Sequence, residues 1–256
     1  MHPGSVIRGS RSFCAAALLF LSSFVLQAGE SAFYNPLSPA IFVTPDVWPW
    51  GFTNDEGQPA GMLPRFTSRV AAIANVPVIN ELRPHRRATT ELQSGETDFV
   101  VLFQSPVTDA AGVRVVNVVT VEILLAGVAG SRYPLTIDGL AGKSVGYIRG
   151  TYYGEAFERD REIVKVPVNS LEQAIEMLKL GRLDAMVASD QLFYHTLEAM
   201  KLAIDEFRTD TVINEQKAFL YMSRKAQNPQ LFKAIRQAAV QMRENGELEE
   251  IFRLPE

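Results

Sequence analysis

One short segment occurs twice in the chain. Leu92-Gln93-Ser94-Gly95-Glu96-Thr97-Asp98 runs into the apolar stretch that begins at Phe99, and Leu178-Lys179-Leu180-Gly181-Arg182-Leu183-Asp184 runs into the one that begins at Ala185. Both read Leu-x-x-Gly-x-x-Asp-apolar. The glycine supplies a left-handed helix stop without a Cβ penalty, and the Asp suits the start of a strand. Two copies of one helix-to-strand junction point to two lobes of similar build.

The periodicities around the two copies alternate in the same way. Ile41–Val43, Val76–Leu82 and Phe99–Phe103 read as strands, with helices over Met62–Ala74 (Leu63, Phe66, Val70 and Ile73 on one face) and Arg87–Ser94. The pattern then repeats, with strands at Ser144–Ile148, Ile163–Val168 and Ala185–Ala188. Ser170-Leu171-Glu172-Gln173 fits a capping box opening a helix whose stripe is Leu171, Ala174, Ile175 and Leu178. Ile123–Val128 is apolar and extended, and Ala218–Met222 reads as another buried strand. A closing helix has Asn228 as its cap and Pro229 at its first position, and packs Leu231, Ile235, Ala238, Ala239 and Met242 inward before Gly246. Strands that alternate with helices form parallel βαβ units, so the expected class is α/β, each lobe a mostly parallel sheet flanked by helices. If the last strand and helix return to the first lobe, two hinge strands join the lobes and a ligand cleft lies between them.

The N-terminus reads as a secretory signal. Residues 1–12 carry Arg8 and Arg11, and an apolar run from Phe13 to Leu26 ends near the small residue Ala28. The run is shorter than the ~20 residues of a membrane span. Cleavage after Ala28 divides the chain into a signal (1–28), a first lobe (29–127), a second lobe (128–213) and a return to the first (214–256). Export implies a periplasmic location. Cys14 is the single cysteine, lies in the apolar run and has no small-residue box before it, so lipidation is not expected and the mature chain has no thiol. The net charge of −4 becomes more acidic once the signal arginines leave, which speaks against a nucleic-acid partner.

The order of motifs resembles the family 3 periplasmic solute-binding proteins, the amino-acid-type receptors of ABC importers. The resemblance rests on Trp48-Pro49-Trp50-Gly51-Phe52-Thr53-Asn54-Asp55-Glu56-Gly57 with Gly61, on Leu92 through Asp98, and on Val107-Thr108-Asp109. It continues through Leu140-Ala141-Gly142-Lys143-Ser144-Val145-Gly146 with Gly150-Thr151-Tyr152, then Gly181-Arg182-Leu183-Asp184-Ala185, then Gly246-Glu247-Leu248. It spans nearly all of residues 40–252 and implies a two-lobed periplasmic-binding-protein fold. It also implies site residues. Trp48 or Trp50 stands where the family places an aromatic against the ligand, and Thr108 belongs to the first-lobe binding step. Gly150 and Thr151, read as opening a helix over Tyr152–Phe157, would hold an anion at its N-terminus beside Arg149.

The departures from the family bear on the ligand. The Arg that clamps an α-carboxylate aligns with Ala111, and Arg114 lies three residues beyond it. The family's acidic residue after the Gly-Phe turn aligns with Arg65, and its second-lobe Asp aligns with Ser189, with Asp190 next. Arg65, Arg114 and Asp190 are the residues that could replace the missing clamps. A small polar or anionic solute is expected in the cleft; with Arg65, Arg149, the helix start and the tryptophans as the remaining groups, an anionic or aromatic molecule is expected rather than a standard α-amino acid.

Other chemistry does not declare itself. His85 and His195 have no metal spacing, and no nucleophile elbow, phosphate loop or zinc motif is present. Arg83-Pro84-His85-Arg86-Arg87 reads as a solvated loop and helix start. No metal or cofactor is expected. Three functions are open: a monomeric receptor feeding an ABC permease, a binding-only sensor signalling to a membrane partner, and, less favoured, a dehydratase-like enzyme using a cleft acid such as Asp190 or Glu155.

Overall fold

Residues 38–226 and 228–255 are described by a computed structural model; the expected signal segment, residues 1–28, lies outside them. The chain enters through β1 (Ala40–Pro45), a small hairpin of β2 (Phe52–Thr53) and β3 (Pro59–Ala60), and helix α1 (Met62–Ala74). β4 (Val78–Arg83), α2 (His85–Ser94), β5 (Phe99–Phe103) and α3 (Pro106–Ala111) follow. The long strand β6 (Gly112–Val128) leads out to β7 (Ser144–Ile148), α4 (Glu155–Arg159), β8 (Val164–Val168), α5 (Leu171–Lys179), β9 (Ala185–Ser189) and α6 (Asp190–Met200). A second long strand, β10 (Phe207–Ser223), leads back to α7 (Pro229–Glu244) and α8 (Glu247–Ile251).

β6 and β10 are each 17 residues long and pair antiparallel along their whole length, from Phe207 beside Val128 to Ser223 beside Gly112. The two ends of this ribbon carry different wings. At one end, Ala218–Met222 pairs with β5, which continues to β1 and β4; at the other, Ile123–Ala126 pairs with β9, which continues to β7 and β8. One mixed sheet of order β4-β1-β5-β10-β6-β9-β7-β8 results, with parallel wings on an antiparallel ribbon. The ladder shifts register between Thr211 and Gln216, where β10 passes from one wing to the other.

Each wing has its own packed layers. In the first, Phe42, Phe66, Phe99, Leu220, Ile235 and Met242 form a core between the sheet and α1, α7 and α8, and Val43, Ala88, Leu92, Val100, Leu102 and Tyr221 pack under α2. In the second, Leu171, Ala174, Ile175, Met186, Leu192 and Phe193 pack on one side of the sheet, and Ile123, Leu125, Leu140, Tyr153 and Phe157 on the other.

The repeated segment has one structural role in both wings. Gly95 and Gly181 take left-handed angles, φ 83° and 68°. Asp98 then donates its N–H to the carbonyl of Ile41 and accepts the Ile41 N–H on its carboxylate, at 3.0 and 2.8 Å. Asp184 does the same with Ser144, at 2.9 and 2.8 Å. Each Asp thus ties the start of its own strand to the start of the neighbouring parallel strand.

Several expectations are corrected. β6 and β10 run far beyond the apolar segments 123–128 and 218–222, because their remaining residues, many of them exposed or half-buried and polar, pair with each other along the ribbon. Ile123–Ala126, assigned by the expected boundary to the first lobe, pairs with β9 and packs with the second wing. The helix expected over Tyr152–Phe157 starts only at Glu155, after Gly154 at φ 92°. The Ser170 capping box is half present: Ser170 Oγ accepts the Gln173 N–H, but Gln173 Oε1 takes the N–H of Asn169 instead of that of Ser170. At the closing helix, Asn228 Oδ1 accepts the Leu231 N–H at 3.0 Å and Pro229 stands at the first helical position, as read from the sequence.

Candidate functional site

A cavity of about 50 Å³ lies where the wings meet. The first wing contributes Val47, Trp50, Leu63, His85 and Phe103 to its lining; the second contributes Thr151, Tyr153, Ser189 and Leu192. The lining follows from the topology. Phe103 ends β5, His85 begins α2 after β4, Thr151 and Tyr153 follow β7, and Ser189 ends β9. These are carboxyl ends of parallel strands, where α/β sheets gather their ligand-contacting groups.

The cavity wall is mainly apolar. Trp50 packs edge-on to Phe103 at 6.3 Å and against Phe252 at 6.0 Å. Apart from the indole N–H of Trp50 and the Tyr153 phenol, three residues bring polar side-chain atoms to the lining. Ser189 Oγ accepts the Leu192 N–H at 3.2 Å, and Thr151 stands in the loop after β7. His85 keeps part of its surface exposed, but its Nδ1 is buried and has no hydrogen-bond partner. Burial pushes the His85 imidazole down to about 4, partly offset by the residue's own main chain, so the ring is neutral at physiological pH.

A second opening of about 300 Å³ shares His85, Leu102, Phe103 and Thr151 with the first. It adds Thr108, Gly150, the phenols of Tyr147 and Tyr152, and Glu158. Thr108 is buried and committed: its hydroxyl accepts the Ser105 N–H at 2.9 Å and lies 3.1 Å from the Phe103 carbonyl. Burial holds the Tyr152 phenol above its usual value, with Glu155 and Glu158 adding to the effect. Among the described residues lining these two openings, Glu158 carries the only fixed charge.

The structure therefore brings together Trp50, Thr151 and Ser189 around one cavity and Thr108 and Gly150 around the adjoining one. The other sequence-predicted residues lie elsewhere. Trp48 packs on Phe52 at 4.7 Å, with its Nε1 buried and unpartnered. Arg149 is exposed and lines neither opening. Arg65 stands in an outer groove between α1 and α8, 3.8 Å from Glu250. Arg114 bonds both carboxylate oxygens of Asp109, lies 4.9 Å from the centre of the Phe219 ring and lines neither opening. Asp190 lines a different groove, beside Asn117, Arg243 and Phe252; burial pushes its carboxyl up, partly offset by backbone hydrogen bonds. Gly150 and Thr151 form a turn that stops short of α4, so no helix N-terminus stands there to hold an anion.

His85 is the residue that reasoning from the sequence missed. Its flanking arginines suggested a solvated loop. Instead, Arg83 and Arg87 both bond Glu91 through Nε, at 3.1 and 2.6 Å, and α2 begins two residues earlier than expected, at His85 itself. The one signal was its chemistry: a lone titratable ring among fixed charges, just after a strand.

No protein-family model matches the chain, and no curated protein matches it in sequence. Solved structures do. An ancestral arginine-binding protein bound to arginine superposes with a TM-score of 0.71 at 17% identity, over 84% of this chain and 96% of that one. A histidine kinase sensor domain with similarity to periplasmic binding proteins gives 0.72 at 17% identity, over 84% and 94%. The arginine-, lysine-, histidine-binding protein ArtJ of Geobacillus stearothermophilus gives 0.68 at 16%, over 86% and 97%. The fold of this chain is that of the substrate-binding proteins of amino-acid ABC transporters.

Proposed function

We propose that the chain is exported to the periplasm and captures a small solute between two lobes that close about the β6–β10 ribbon, handing it to an inner-membrane ABC importer. The observation that carries this reading is the cavity at the junction of the wings, built from the carboxyl ends of strands of both and holding a buried, unpartnered His85 Nδ1. An aromatic and aliphatic wall supplies apolar contact, and a few polar atoms fix orientation, as in small-molecule sites generally. The apolar run at Phe13–Leu26 supports export.

Binding without turnover fits the residues better than catalysis. Asp190 lines another groove, and Glu155 is exposed and paired with Arg159 at 2.7 Å, so neither acid that an enzyme reading would use lines the cavity. The likeness to a kinase sensor domain supports a second reading, in which the same closure signals to a membrane partner. For the solute, the polar side of the sequence expectation is favoured over the anionic one. Arg65, Arg114 and Arg149 all lie outside the lining, and an unpaired carboxylate would meet a costly desolvation in this cavity.

Mass spectrometry of the small molecule that co-purifies with the periplasmic protein, followed by calorimetry and small-angle scattering, tests the reading. Expected are a polar solute, a smaller radius when it binds, and a raised melting temperature. A proven tight ligand that leaves the radius unchanged would refute closure, and a processed product in place of a bound solute would refute a binding-only role.

A further inference from the structure

The imidazole of His85 stands where the two wings touch. It lines both openings together with Phe103 of its own wing and Thr151 of the other, and Trp50 and Tyr153 join it in the first. The wings also meet next to it in the chain: a Cβ built on Gly150 would lie 3.1 Å from the Arg86 nitrogen and 3.3 Å from the Arg86 Cβ. His85 Nδ1 is buried there without a partner.

We propose that closure of the lobes carries His85 from water into the cleft as a neutral imidazole, so that solute capture releases any proton it holds and weakens as the pH falls. The inference rests on the closing motion put forward above. The one carboxylate that shares an opening with the ring is that of the exposed Glu158. The groups sharing its two openings are the phenols of Tyr147, Tyr152 and Tyr153 and the rim carboxylate of Glu158; on its own helix stand Arg86, Arg87 and Glu91, the last already held by Arg83 and Arg87. No charge contributes to the depression of His85, whose largest cause is burial.

The sign follows from linkage. Exposed in the open form, the ring takes its ordinary value of ~6.5; covered in the closed form, it stays neutral. Closure is therefore unopposed above that value and loses up to tenfold per pH unit below it. Between pH 7.5 and 5, the closed form should lose roughly thirtyfold relative to the open one.

The test needs no solute. Arg86→Cys with Gly150→Cys places two Cβ atoms 3.3 Å apart, just under the ~3.5–4.5 Å that a disulfide spans, in a mature chain with no other thiol, and the covalent bond holds the wings together against the strain that a side chain adds at this φ of +92°. His85 is titrated by nitrogen NMR in the oxidised, locked protein and in the reduced one, with scattering on both. Expected is a markedly lower value when locked, rising toward the ordinary imidazole value when reduced. Ordinary values in both forms, with a change in radius, overturn the role of His85 and leave the hinge standing. Depressed values in both, with no change in radius, overturn the hinge and the coupling with it. If the pair does not oxidise, the radius of the wild type is compared with that of His85→Phe at pH 7.5 and 5. Expansion of the wild type alone in acid supports the coupling, and identical behaviour of the two overturns it.

Discussion

Gly150, from the second wing, lies against the main chain of Arg86, from the first, at a φ of +92° that L side chains rarely adopt. This approach of two backbones leaves little room for a side chain between the wings. Replacing Gly150 by Val should strain the turn by roughly 1–2 kcal/mol and push the wings apart at this point. The expected result is a protein of nearly normal fold, by circular dichroism, whose solute-induced rise in melting temperature is largely lost. A full rise in the variant would show that the contact is not needed for closure.

Thr151 and Ser189 should separate binding from stability. Thr151 faces the cavity from a loop, whereas Ser189 also caps α6 by accepting the Leu192 N–H. Thr151→Val is expected to weaken capture of the co-purifying solute roughly three- to tenfold, the value of one net hydrogen bond, at unchanged melting temperature. Ser189→Ala should weaken capture similarly and also cost ~1 kcal/mol of stability from the lost cap. Calorimetry and thermal melts on the two variants check both halves.

The Asp109–Arg114 pair should matter to stability and not to binding. Asp109 accepts the Tyr221 hydroxyl at 2.8 Å as well as the Arg114 guanidinium, which holds its carboxyl below the usual range against the opposing effect of burial. A depressed carboxylate contributes stability that is fully present above its unfolded value of ~3.9 and is lost as the pH falls through its folded value. Arg114→Ala should therefore lower stability by roughly 1 kcal/mol at pH 7, with the deficit shrinking below pH 4, and leave solute affinity within twofold. A large loss of affinity would restore Arg114 as a ligand clamp.

Phe99 carries the first wing. Its ring stacks on Phe42 at 4.8 Å, and both are essentially inaccessible. Phe99→Ala should destabilise by roughly 3–5 kcal/mol, as a cavity in a rigid core requires. Denaturant melts of the purified variant check this, and a loss below 1 kcal/mol would mean that the site collapses around the deletion.

Much of the fold could be read in order along the chain, since it is written in local chemistry. Gly95 and Gly181 stop helices because of their backbone freedom, Asn228 and Pro229 start one, and the inner parallel strands β5 and β9 are nearly continuous apolar runs buried on both faces. The length of β6 and β10 was not legible. A half-exposed ribbon mixes Thr209, Asp210 and Glu215 with buried residues, and nothing in that pattern marks where one wing yields to the other.

The sequence by itself determined an exported-looking α/β chain of two similar halves, through motifs whose meaning depends only on neighbours a few residues away. Tertiary structure alone decided which polar groups meet. Arg65, Arg114, Arg149 and Asp190 carry the charges that a reader of the sequence notices, yet each is drawn off to an outer groove, an ion pair or solvent. His85, hidden among arginines, is the group placed between the wings. Which way a side chain near a strand end points, and what covers it, is fixed by packing between segments tens of residues apart, and that information resides in no local spacing.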